Sequence, residues 1–421
     1  MHATLADWLI HLESLHPKTI ALGLERMAQV KQRLNLNPDF PVVIVGGTNG
    51  KGSVCAMLES ILHAAGYRVG CYTSPHLLSY NERVRIGKQQ ASDVELCASF
   101  DKIEQTRGDI LLTYFEFGTL AAMQCFISHK VDVAILEVGL GGRLDAVNVF
   151  DADVSVVTSV DIDHTDYLGD TREQIAFEKA GIFRKDRVAI CADSDVPQAL
   201  RSHAQQIGAE LWCLGGEFGF RAHQGQWDFF GKSGERHALP LPALRGAFQL
   251  HNASAALAAL GALKDQLPVN MEAVRRGLVE VELTGRFQFV PGRPQLILDV
   301  AHNPHAARSL AQNLANLPPA KTFAVFSMLK DKDMTGVVAA LDAQIDVWLV
   351  AGITAPRGAT TAELAQVLEK CGVHGEIVSC SSITNALHEA SNRACENDRI
   401  VALGSFYTVA EVMRVRGLHS A

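Results

Sequence analysis

The sequence predicts an α/β protein with two domains: an N-terminal domain with a parallel sheet and a phosphate-binding loop, and a smaller, Rossmann-like C-terminal α/β domain. The chain has 421 residues, whereas single cores stop growing at roughly 250–300 residues. Short apolar runs rich in Val and Ile alternate with longer stretches of helical period, as in parallel sheets covered by helices. Gly and Pro residues after Arg286 interrupt this series, which predicts domains at 1–286 and 287–421.

The individual elements follow from the same patterns. Before Gly66, one helical face carries the apolar residues Val54, Met57, Leu58, Ile61 and Leu62. The stretch 215–245, rich in Gly and aromatic residues, predicts hairpins, and the Ala-rich stretch 251–263 predicts a helix. Strands are predicted at 42–45, 67–73, 131–138, 154–160 and 187–191, and in the second domain at 295–300, 323–328, 346–351, 375–379 and 399–403.

Composition and charge exclude several classes of protein. The chain has 38 basic and 46 acidic residues, a net charge of −8, which argues against nucleic acid or an anionic membrane as a partner. Nine scattered cysteines indicate reduced packing residues rather than a disulfide scaffold. The N-terminus lacks the basic and apolar regions of a secretory signal, and no apolar run reaches the roughly 18 residues of a membrane span. We therefore expect a cytoplasmic protein.

The strongest single signal is the segment GGTNGKGS at 46–53, which follows an apolar strand and precedes the predicted helix. Its glycines let backbone N–H groups approach phosphates, the helix N-terminus adds partial positive charge, and Lys51 adds a full charge. The segment departs from the usual phosphate-loop pattern, because Val45 replaces the first Gly and Gly52 separates Lys51 from Ser53. The alternative is a Gly-rich turn with a surface lysine. The strand, turn and helix together favour the phosphate loop.

Polar residues follow several of the predicted parallel strands, whose carboxyl ends collect ligands in open sheets. Glu137 ends one strand before the turn GLGGRLD, Ser74 follows another, and 161–166 (DIDHTD) follows a third. A hydroxyl, a carboxylate and phosphate oxygens suit Mg²⁺, whereas His164 would be a less usual ligand. Taken singly, Glu137 could instead stabilise its turn and 161–166 could be a solvated loop. Their convergence on one sheet edge favours a metal site.

In the second domain, the strand at 295–300 delivers Asp299, followed by AHNPH at 301–305. One interpretation is a cap before the next helix. The other is that Asp299 faces Arg286 across the domain boundary and helps to clamp a nucleotide. The residues leave both interpretations open.

Nine motifs together resemble the folylpolyglutamate synthase/dihydrofolate synthase family of Mur-type ligases, and they span nearly the whole chain in order. Other Mur-type ligases usually place a further domain before the phosphate loop, whereas only 45 residues precede Gly46. The motifs are GGTNGKGS, TSPHL (73–77), TYFEFGTLAA (113–122), EVGLGGRLDAVN (137–148), DHTDYLG (163–169), EKAGIF (178–183), GRF (285–287), DVAHNPHA (299–306) and GSFYTV (404–409). The resemblance implies a Mur-ligase central domain followed by a C-terminal domain that closes over ATP and binds glutamate and folate.

The resemblance also implies an activity. Such enzymes are ATP-dependent amide ligases that convert a carboxylate to an acyl phosphate, which the amine of L-glutamate then attacks. Bacterial members often use one site for two reactions, joining glutamate to 7,8-dihydropteroate and then extending reduced folates. The expected partners are therefore ATP, glutamate, dihydropteroate and reduced folates, with Mg²⁺ as the cofactor, two ions being expected. The family also favours a monomer.

Site residues carried over from the family fall into three groups. Those implied to bind ATP are Thr48, Asn49, Gly50, Lys51, Gly52, Ser53, Asn252, Arg286, Asp299 and His302. Those implied to bind metal are Ser74, Glu137, His164 and, if carbamylated, Lys179, with Lys51, Lys179 and His164 expected to serve catalysis. Those implied to bind the pterin are Ala21, Leu22, Gly23, Leu24, Thr113, Tyr114, Phe115, Glu116, Leu144, Asp145 and Ala146.

Three positions need separate comment. Carbamylation would give Lys179 the anionic oxygens that a hard metal prefers, although this lysine could instead cap the helix end before Gly181. Gly46 stands where relatives often have Ala, a change that only loosens the turn. Ala21 stands where some bifunctional relatives carry an acidic residue, which affects the first pterin-facing loop.

Three functions follow as alternatives. The first is the bifunctional synthase, favoured by the residues TYFE and LDA beside the metal residues. The second is a ligase that only extends folates. The third is a nucleotide-binding module that hydrolyses ATP without ligation.

Overall fold

The computed structural model describes residues 3–17 and 21–419. The chain divides into two compact units. The first comprises Met1–Ala243 and Leu250–Val281, and the second comprises Leu244–Gln249 and Glu282–Ala421. Among the described residues, no helix combines the length and the apolar character needed to cross a membrane.

The first unit contains a large sheet covered by helices and a small separate sheet. Its helices are α1 (Leu5–Leu15), α2 (Glu25–Leu34), α3 (Lys51–Ala64), α4 (Asp93–Arg107), α5 (Tyr114–Ser128), α6 (Thr165–Leu168), α7 (Arg172–Ala180), α8 (Gln198–Ile207), α9 (Gln249–Ala262) and α10 (Met271–Val279). Its strands are β1 (Val42–Gly46), β2 (Val69–Tyr72), β3 (Val84–Ile86), β4 (Gln89–Gln90), β5 (Val133–Glu137), β6 (Val154–Val157), β7 (Val188–Cys191), β8 (Glu210–Cys213), β9 (Phe218–Ala222), β10 (Gln226–Gly231) and β11 (Gly234–Pro240).

The large sheet has the strand order β4-β3-β2-β5-β1-β6-β7-β8. Strands β2, β5, β1, β6, β7 and β8 are parallel, and β3 and β4 extend one edge in antiparallel pairing. The five strands predicted for this domain are confirmed as β1, β2, β5, β6 and β7. Most of their apolar residues are buried. The sequence analysis did not predict β3, β4 or β8. Strands β3 and β4 have only three and two residues, too few for a recognisable period, whereas β8 was missed although it contains an apolar run.

The hairpins predicted for 215–245 are confirmed as a three-stranded antiparallel sheet in the order β11-β10-β9. Trp227 on β10 is fully buried, and its indole N–H donates to the Pro240 carbonyl at 2.9 Å. The predicted Ala-rich helix is α9, whose Ala side chains are almost all buried.

The second unit contains one six-stranded sheet in the order β12-β13-β17-β14-β15-β16. Its strands are β12 (Gln288–Val290), β13 (Gln295–Leu298), β14 (Thr322–Phe326), β15 (Val347–Val350), β16 (Glu376–Ser379) and β17 (Arg399–Leu403). Its helices are α11 (Pro304–Ala315), α12 (Met334–Leu341), α13 (Thr361–Cys371), α14 (Ile383–Arg393) and α15 (Phe406–Val415). Only β12 is antiparallel to its neighbour, and the five predicted strands are confirmed as the parallel part.

Contacts within the second unit explain why it begins before residue 286. The Val300 N–H donates to the Gly285 carbonyl at 2.9 Å, and β12 then continues the same segment into the sheet. The Arg245 guanidinium lies 4.4 Å from the centre of the Phe289 ring. The segments around Arg245 and Gly285 therefore both belong to the second unit. The sequence shows only Gly and Pro residues after Arg286 as a sign of this boundary.

Candidate active site

The phosphate loop connects β1 to α3. Gly50 has φ +92°, and α3 begins at Lys51 without a side-chain cap, so the N–H groups of its first turn point to the loop. The Lys51 Nζ donates to the carbonyls of Gly47 at 3.0 Å and Thr48 at 3.2 Å. Backbone donors and a lysine cation are therefore concentrated in one turn, as phosphate binding requires.

Residues after β6 hold this loop in place. The Thr48 N–H donates to the Ser159 carbonyl at 2.7 Å, and the Thr158 hydroxyl donates to the Asn49 carbonyl at 2.6 Å. The Thr48 hydroxyl donates to the Asp161 carbonyl at 3.0 Å. The sequence does not reveal Thr158 and Ser159 as supports of this loop. The only available signal was their position directly after a strand that neighbours β1.

Asn252 on α9 adjoins the phosphate loop. Its side chain is buried, and a Cβ atom built on Gly50 would lie 2.6 Å from the Asn252 Oδ1. Glycine is therefore required at position 50 by both its φ angle and the close approach of Asn252. The structure brings Asn252 to the phosphate loop, and its assignment to ATP binding stays a prediction.

Glu137 and Ser74 meet at the carboxyl ends of β5 and β2. The Glu137 Oε2 accepts a hydrogen bond from the Ser74 N–H at 3.0 Å, and Glu137 is only 4% exposed. The Ser74 N–H thus helps to orient the Glu137 carboxylate. Glu137 and Ser74 supply the oxygen donors that Mg²⁺ prefers, so these two residues fit a magnesium site.

His164 lies at the start of α6 with φ +53°. Its N–H donates to the Asp163 Oδ1 at 2.8 Å, and its imidazole Nε2 lies 4.0 Å from the same oxygen. The side chain is 36% exposed, which leaves the ring accessible from solvent. The Asp163 carboxylate therefore bonds to the backbone of His164 and lies close to its imidazole ring.

Lys179 lies in the last turn of α7 and is only 4% exposed. Burial lowers the pKa of Lys179 to about 7, and the positive charge of Lys51 acts in the same direction. Asp163 and Asp145 oppose this change in pKa. The charges of Lys51, in the phosphate loop, and of Asp163, next to His164, therefore both act on the pKa of Lys179. A solvated helix cap would not be buried in this way.

The three segments assigned to the pterin come together in the first unit. The Gly23 N–H donates to the Leu144 carbonyl at 3.5 Å, and the Arg26 guanidinium donates to the Ala21 carbonyl and to the Glu116 carboxylate, both at 2.7 Å. Arg26, which sequence analysis missed, thus connects the first segment to the second. The sequence offers only one indication of this role, which is that Arg26 lies close to the segment ALGL at 21–24.

Within these segments, several side chains stabilise their own loops. The Thr113 N–H donates to the Glu116 Oε2 at 2.7 Å, which caps α5. The Asp145 carboxylate accepts from the N–H groups of Leu140 at 2.8 Å and Val147 at 3.1 Å. Burial raises the pKa of Asp145 to about 7, although these hydrogen bonds oppose the change. Asp145 therefore holds the Gly-rich turn.

Neighbouring aromatic rings order the second segment. The rings of Phe115 and Tyr72 are 5.7 Å apart, and a Cβ atom on Gly139 would lie 2.7 Å from Phe115. The absence of a side chain at Gly139 makes room for the Phe115 ring.

Arg286, Asp299 and His302, which were predicted to bind ATP from two domains, all lie in the second unit. The Asp299 carboxylate accepts from the N–H groups of Phe287 at 2.9 Å and Ala301 at 2.8 Å. Burial raises the pKa of Asp299, which the charge of Arg286 opposes. Because Arg286 and Asp299 both belong to the second unit, the expectation that they face each other across the boundary is wrong. The alternative of a cap before the next helix is confirmed for this segment, and Asn303 rather than Asp299 supplies the cap of α11.

Phe406 links the other two predicted residues. The Arg286 guanidinium lies 5.4 Å from the Phe406 ring centre, and the His302 ring lies 6.1 Å from it. The His302 Nδ1 also lies 2.8 Å from the Val300 carbonyl, which orients the imidazole. Phe406 was present in the motif GSFYTV, but its contacts could not be inferred from that pattern.

Two family models and the known relatives assign the chain to the same family. A family model for the Mur ligase middle domain matches residues 45–260, and one for the Mur ligase, glutamate ligase domain matches residues 285–406. The chain is 47% identical over 413 residues to the dihydrofolate synthase/folylpolyglutamate synthase of Escherichia coli (strain K12), covering 98% of this chain and 95% of the relative.

Two solved structures are similar over their full length. The structure of Escherichia coli FolC in complex with DHPP and ADP has a TM-score of 0.94 and 47% identity, covering 99% of this chain and 98% of that chain. A bifunctional folylpolyglutamate synthase/dihydrofolate synthase with Mn, AMPPNP and L-glutamate bound has a TM-score of 0.92 and 46% identity, again covering 99% and 98%.

Proposed function

The chain belongs to the dihydrofolate synthase/folylpolyglutamate synthase family of Mur ligases, and from this membership we propose how its own residues carry out the reaction. The protein is an ATP-dependent ligase that adds L-glutamate to 7,8-dihydropteroate and to reduced folates. The observation that carries the proposal is that one unit joins the phosphate loop, the Glu137 and Ser74 pair and the three pterin segments.

In the first step, an oxygen of the substrate carboxylate forms a bond to the γ-phosphorus of ATP, and the bond to the β,γ-bridging oxygen breaks. The products are an acyl phosphate and ADP. The amine of glutamate, after losing a proton, then attacks the acyl carbon, and inorganic phosphate leaves as the amide forms. Such transfers depend on positioning and on charge stabilisation.

The phosphate loop would supply this stabilisation. We assign phosphate binding to the loop residues Thr48, Asn49, Gly50, Lys51, Gly52 and Ser53, with Asn252 beside them. The Thr158 hydroxyl donates to this loop and the Ser159 carbonyl accepts from it, so the loop is already held in place. Little rearrangement would therefore be needed when the nucleotide binds.

A divalent metal is supported by the relative that contains Mn and AMPPNP. We assign Mg²⁺ binding to Ser74, Glu137 and His164, with two ions as the proposed number. When bound, Mg²⁺ would neutralise negative charge on the phosphate oxygens. The hydrogen bond from the Ser74 N–H keeps the Glu137 carboxylate in one orientation before any metal binds.

For Lys179 we propose carbamylation. Its amine is buried, and its lowered pKa of about 7 leaves much of it neutral near neutral pH. A neutral amine can attack the carbon of CO₂ and release a proton, giving a carbamate whose two oxygens share one negative charge. That product would provide oxygen ligands for the second ion, whereas the unmodified ammonium could not.

In the second unit, we assign nucleotide contacts to Arg286, Asp299 and His302. Their support is the shared cluster around Phe406, in which the Asp299 carboxylate holds the loop that carries Arg286. Glutamate and folate binding by residues 287–421, the monomeric state and the cytoplasmic location stay predictions.

The test is a phosphate-release assay with three mixtures: ATP alone, ATP with dihydropteroate and glutamate, and ATP with tetrahydrofolate and glutamate, all with Mg²⁺. We expect release in the second and third mixtures, with dihydrofolate and the diglutamate identified by mass spectrometry. Release only with tetrahydrofolate would contradict the dihydropteroate activity. Release from ATP alone, without a ligated product, would contradict ligation altogether.

A further inference from the structure

Arg83 lies beside the loop that carries Ser74. It is the last residue of the 3₁₀ turn Tyr80–Arg83, immediately before β3. Its carbonyl accepts from the N–H of Thr73 at 2.9 Å, so the backbone of Arg83 is joined to the residue that precedes Ser74. The position of Arg83 is therefore set by the same antiparallel pairing that ends β2.

Three rings orient the Arg83 side chain. Its Nε donates to the Nδ1 of His76 at 2.8 Å. Its guanidinium carbon lies 5.4 Å from the ring centre of Tyr80 and 5.5 Å from that of Tyr114. The two tyrosine rings are 5.8 Å apart at an angle of 80°. The guanidinium is thus fixed by cation–π contacts and one hydrogen bond.

No carboxylate neutralises this guanidinium within residues 3–17 and 21–419, and no acceptor there takes a hydrogen bond from its Nη atoms. Arg85, two residues later, differs completely. Its Nη2 lies 2.7 Å from the Glu59 Oε2, and its Nε is also within hydrogen-bond distance of that carboxylate. Arg85 forms a structural ion pair, whereas the half-buried Arg83 keeps both Nη groups available. Such a group favours an anionic ligand.

We propose that Arg83 binds the α-carboxylate of the terminal glutamate of reduced folates and so determines specificity for the folate-extending reaction. This inference rests on the proposed function. Tyr114, which contacts Arg83, belongs to a proposed pterin segment, and His76 follows the proposed metal ligand Ser74 by two residues. Arg83 therefore contacts a residue of a proposed pterin segment and a histidine two residues away from a proposed metal ligand.

The chemistry of the two acid substrates explains the specificity. Dihydropteroate has a single carboxylate, which is consumed in forming the acyl phosphate. A folate that ends in glutamate has two: the γ-carboxylate that reacts and an α-carboxylate that must be accommodated. The two Nη groups of Arg83 can donate in parallel to both oxygens of one carboxylate. Only the folate substrate carries the additional charge that this arrangement would bind.

The first experiment compares Arg83→Gln with the wild type on dihydropteroate and on tetrahydrofolate, each with saturating ATP, Mg²⁺ and glutamate. We expect the KM for tetrahydrofolate to rise about tenfold or more, as loss of a hydrogen-bonded charge pair would cause, with a several-fold smaller change for dihydropteroate. Arg83→Lys keeps the charge but loses the parallel donors, so its KM for tetrahydrofolate should lie between those of the wild type and Arg83→Gln. Equal losses on both substrates, or no loss on either, would overturn the proposal.

The second experiment separates binding from ligation. Calorimetric titration with tetrahydrofolate and with its α-carboxamide is carried out in the presence of Mg²⁺ and AMPPNP. The wild type should bind the α-carboxamide about tenfold more weakly than tetrahydrofolate, and Arg83→Gln should bind the two compounds alike. If the variant still prefers tetrahydrofolate by the wild-type factor, Arg83 does not bind the α-carboxylate. Failure of the proposed function would appear instead in the phosphate-release assay of the wild type.

Arg85→Gln is the matched control for folding. This change leaves the buried Glu59 carboxylate without its partner, so it should lower the thermal unfolding temperature and affect both substrates equally. Arg83→Gln should leave the unfolding temperature close to that of the wild type. If Arg83→Gln lowered the unfolding temperature and reduced activity equally on both substrates, Arg83 would have a structural role like that of Arg85, and the proposal would be wrong.

Discussion

The phosphate loop of the first unit and the Asp299 loop of the second unit both follow parallel strands, but they are held in opposite ways. In the phosphate loop, glycines adopt positive φ angles and many backbone groups are bonded to the neighbouring loop at 158–161. In the Asp299 loop, a single half-buried carboxylate accepts two N–H groups, from Phe287 and Ala301.

The two loops also differ in the sign of the charge at their centres. The phosphate loop concentrates donors and the cation of Lys51, and the resulting positive field suits phosphate. The Asp299 loop has a carboxylate at its centre, which Arg286 partly balances. Substitutions in the first loop should therefore affect turnover strongly, whereas those in the second should affect stability modestly and in a way that depends on pH.

The largest effect is expected from Lys51→Ala. Loss of a preorganised cation at the phosphates should lower kcat by on the order of 10²-fold or more. The measurement is steady-state phosphate release with dihydropteroate and glutamate. The exposed Lys264→Ala is the control, and it should retain wild-type turnover. Near-normal ligation by Lys51→Ala would contradict the role given to the phosphate loop.

A smaller effect is expected from Gly47→Ala. Gly47 has φ +139°, and a Cβ atom there would lie 1.9 Å from the Thr158 Oγ1. The clash should lower the free energy of unfolding by about 2 kcal/mol, measured by urea denaturation. Gly66→Ala is the matched control, because Gly66 also has positive φ but has open space around it, so only about 1 kcal/mol should be lost. Equal losses would show that the close approach to Thr158 is unimportant.

The smallest effect is expected from Asp299→Asn. Burial raises the folded-state pKa of Asp299, so the wild-type carboxyl contributes stability at pH values below its unfolded pKa of about 3.9. That contribution is lost as the pH rises through the folded value. The variant, which does not titrate, should be less stable than the wild type by about 1 kcal/mol near pH 4, and the difference should shrink towards pH 8.

Thermal unfolding across this pH range is the measurement for Asp299→Asn. Glu396→Gln, at an exposed position, changes the net charge by the same amount and controls for general charge effects. A difference between variant and wild type that grows with pH would mean that the ionised carboxylate stabilises the second unit.

The sequence indicates candidate site residues where the chemistry is local, and the roles of these residues stay predictions. The phosphate loop could be recognised because its glycines, lysine and following helix are contiguous. Ser74 and Glu137 could be placed together because parallel strands share one edge, and the hydrogen bond between them agrees with that expectation. Arg26, Thr158, Ser159 and Phe406 were missed, since each acts through a partner distant in the sequence.

By itself, the sequence determined the α/β class, the order of the parallel strands along the chain, the phosphate loop and the family. These properties depend on local periodicity, on glycine conformations and on contiguous motifs. Only the tertiary structure decided the burial of Lys179, the placement of Arg286 and Asp299 in one unit, and the contrast between Arg83 and Arg85. Burial and ion pairing depend on which strands become neighbours, and the spacing of residues along the chain does not specify this.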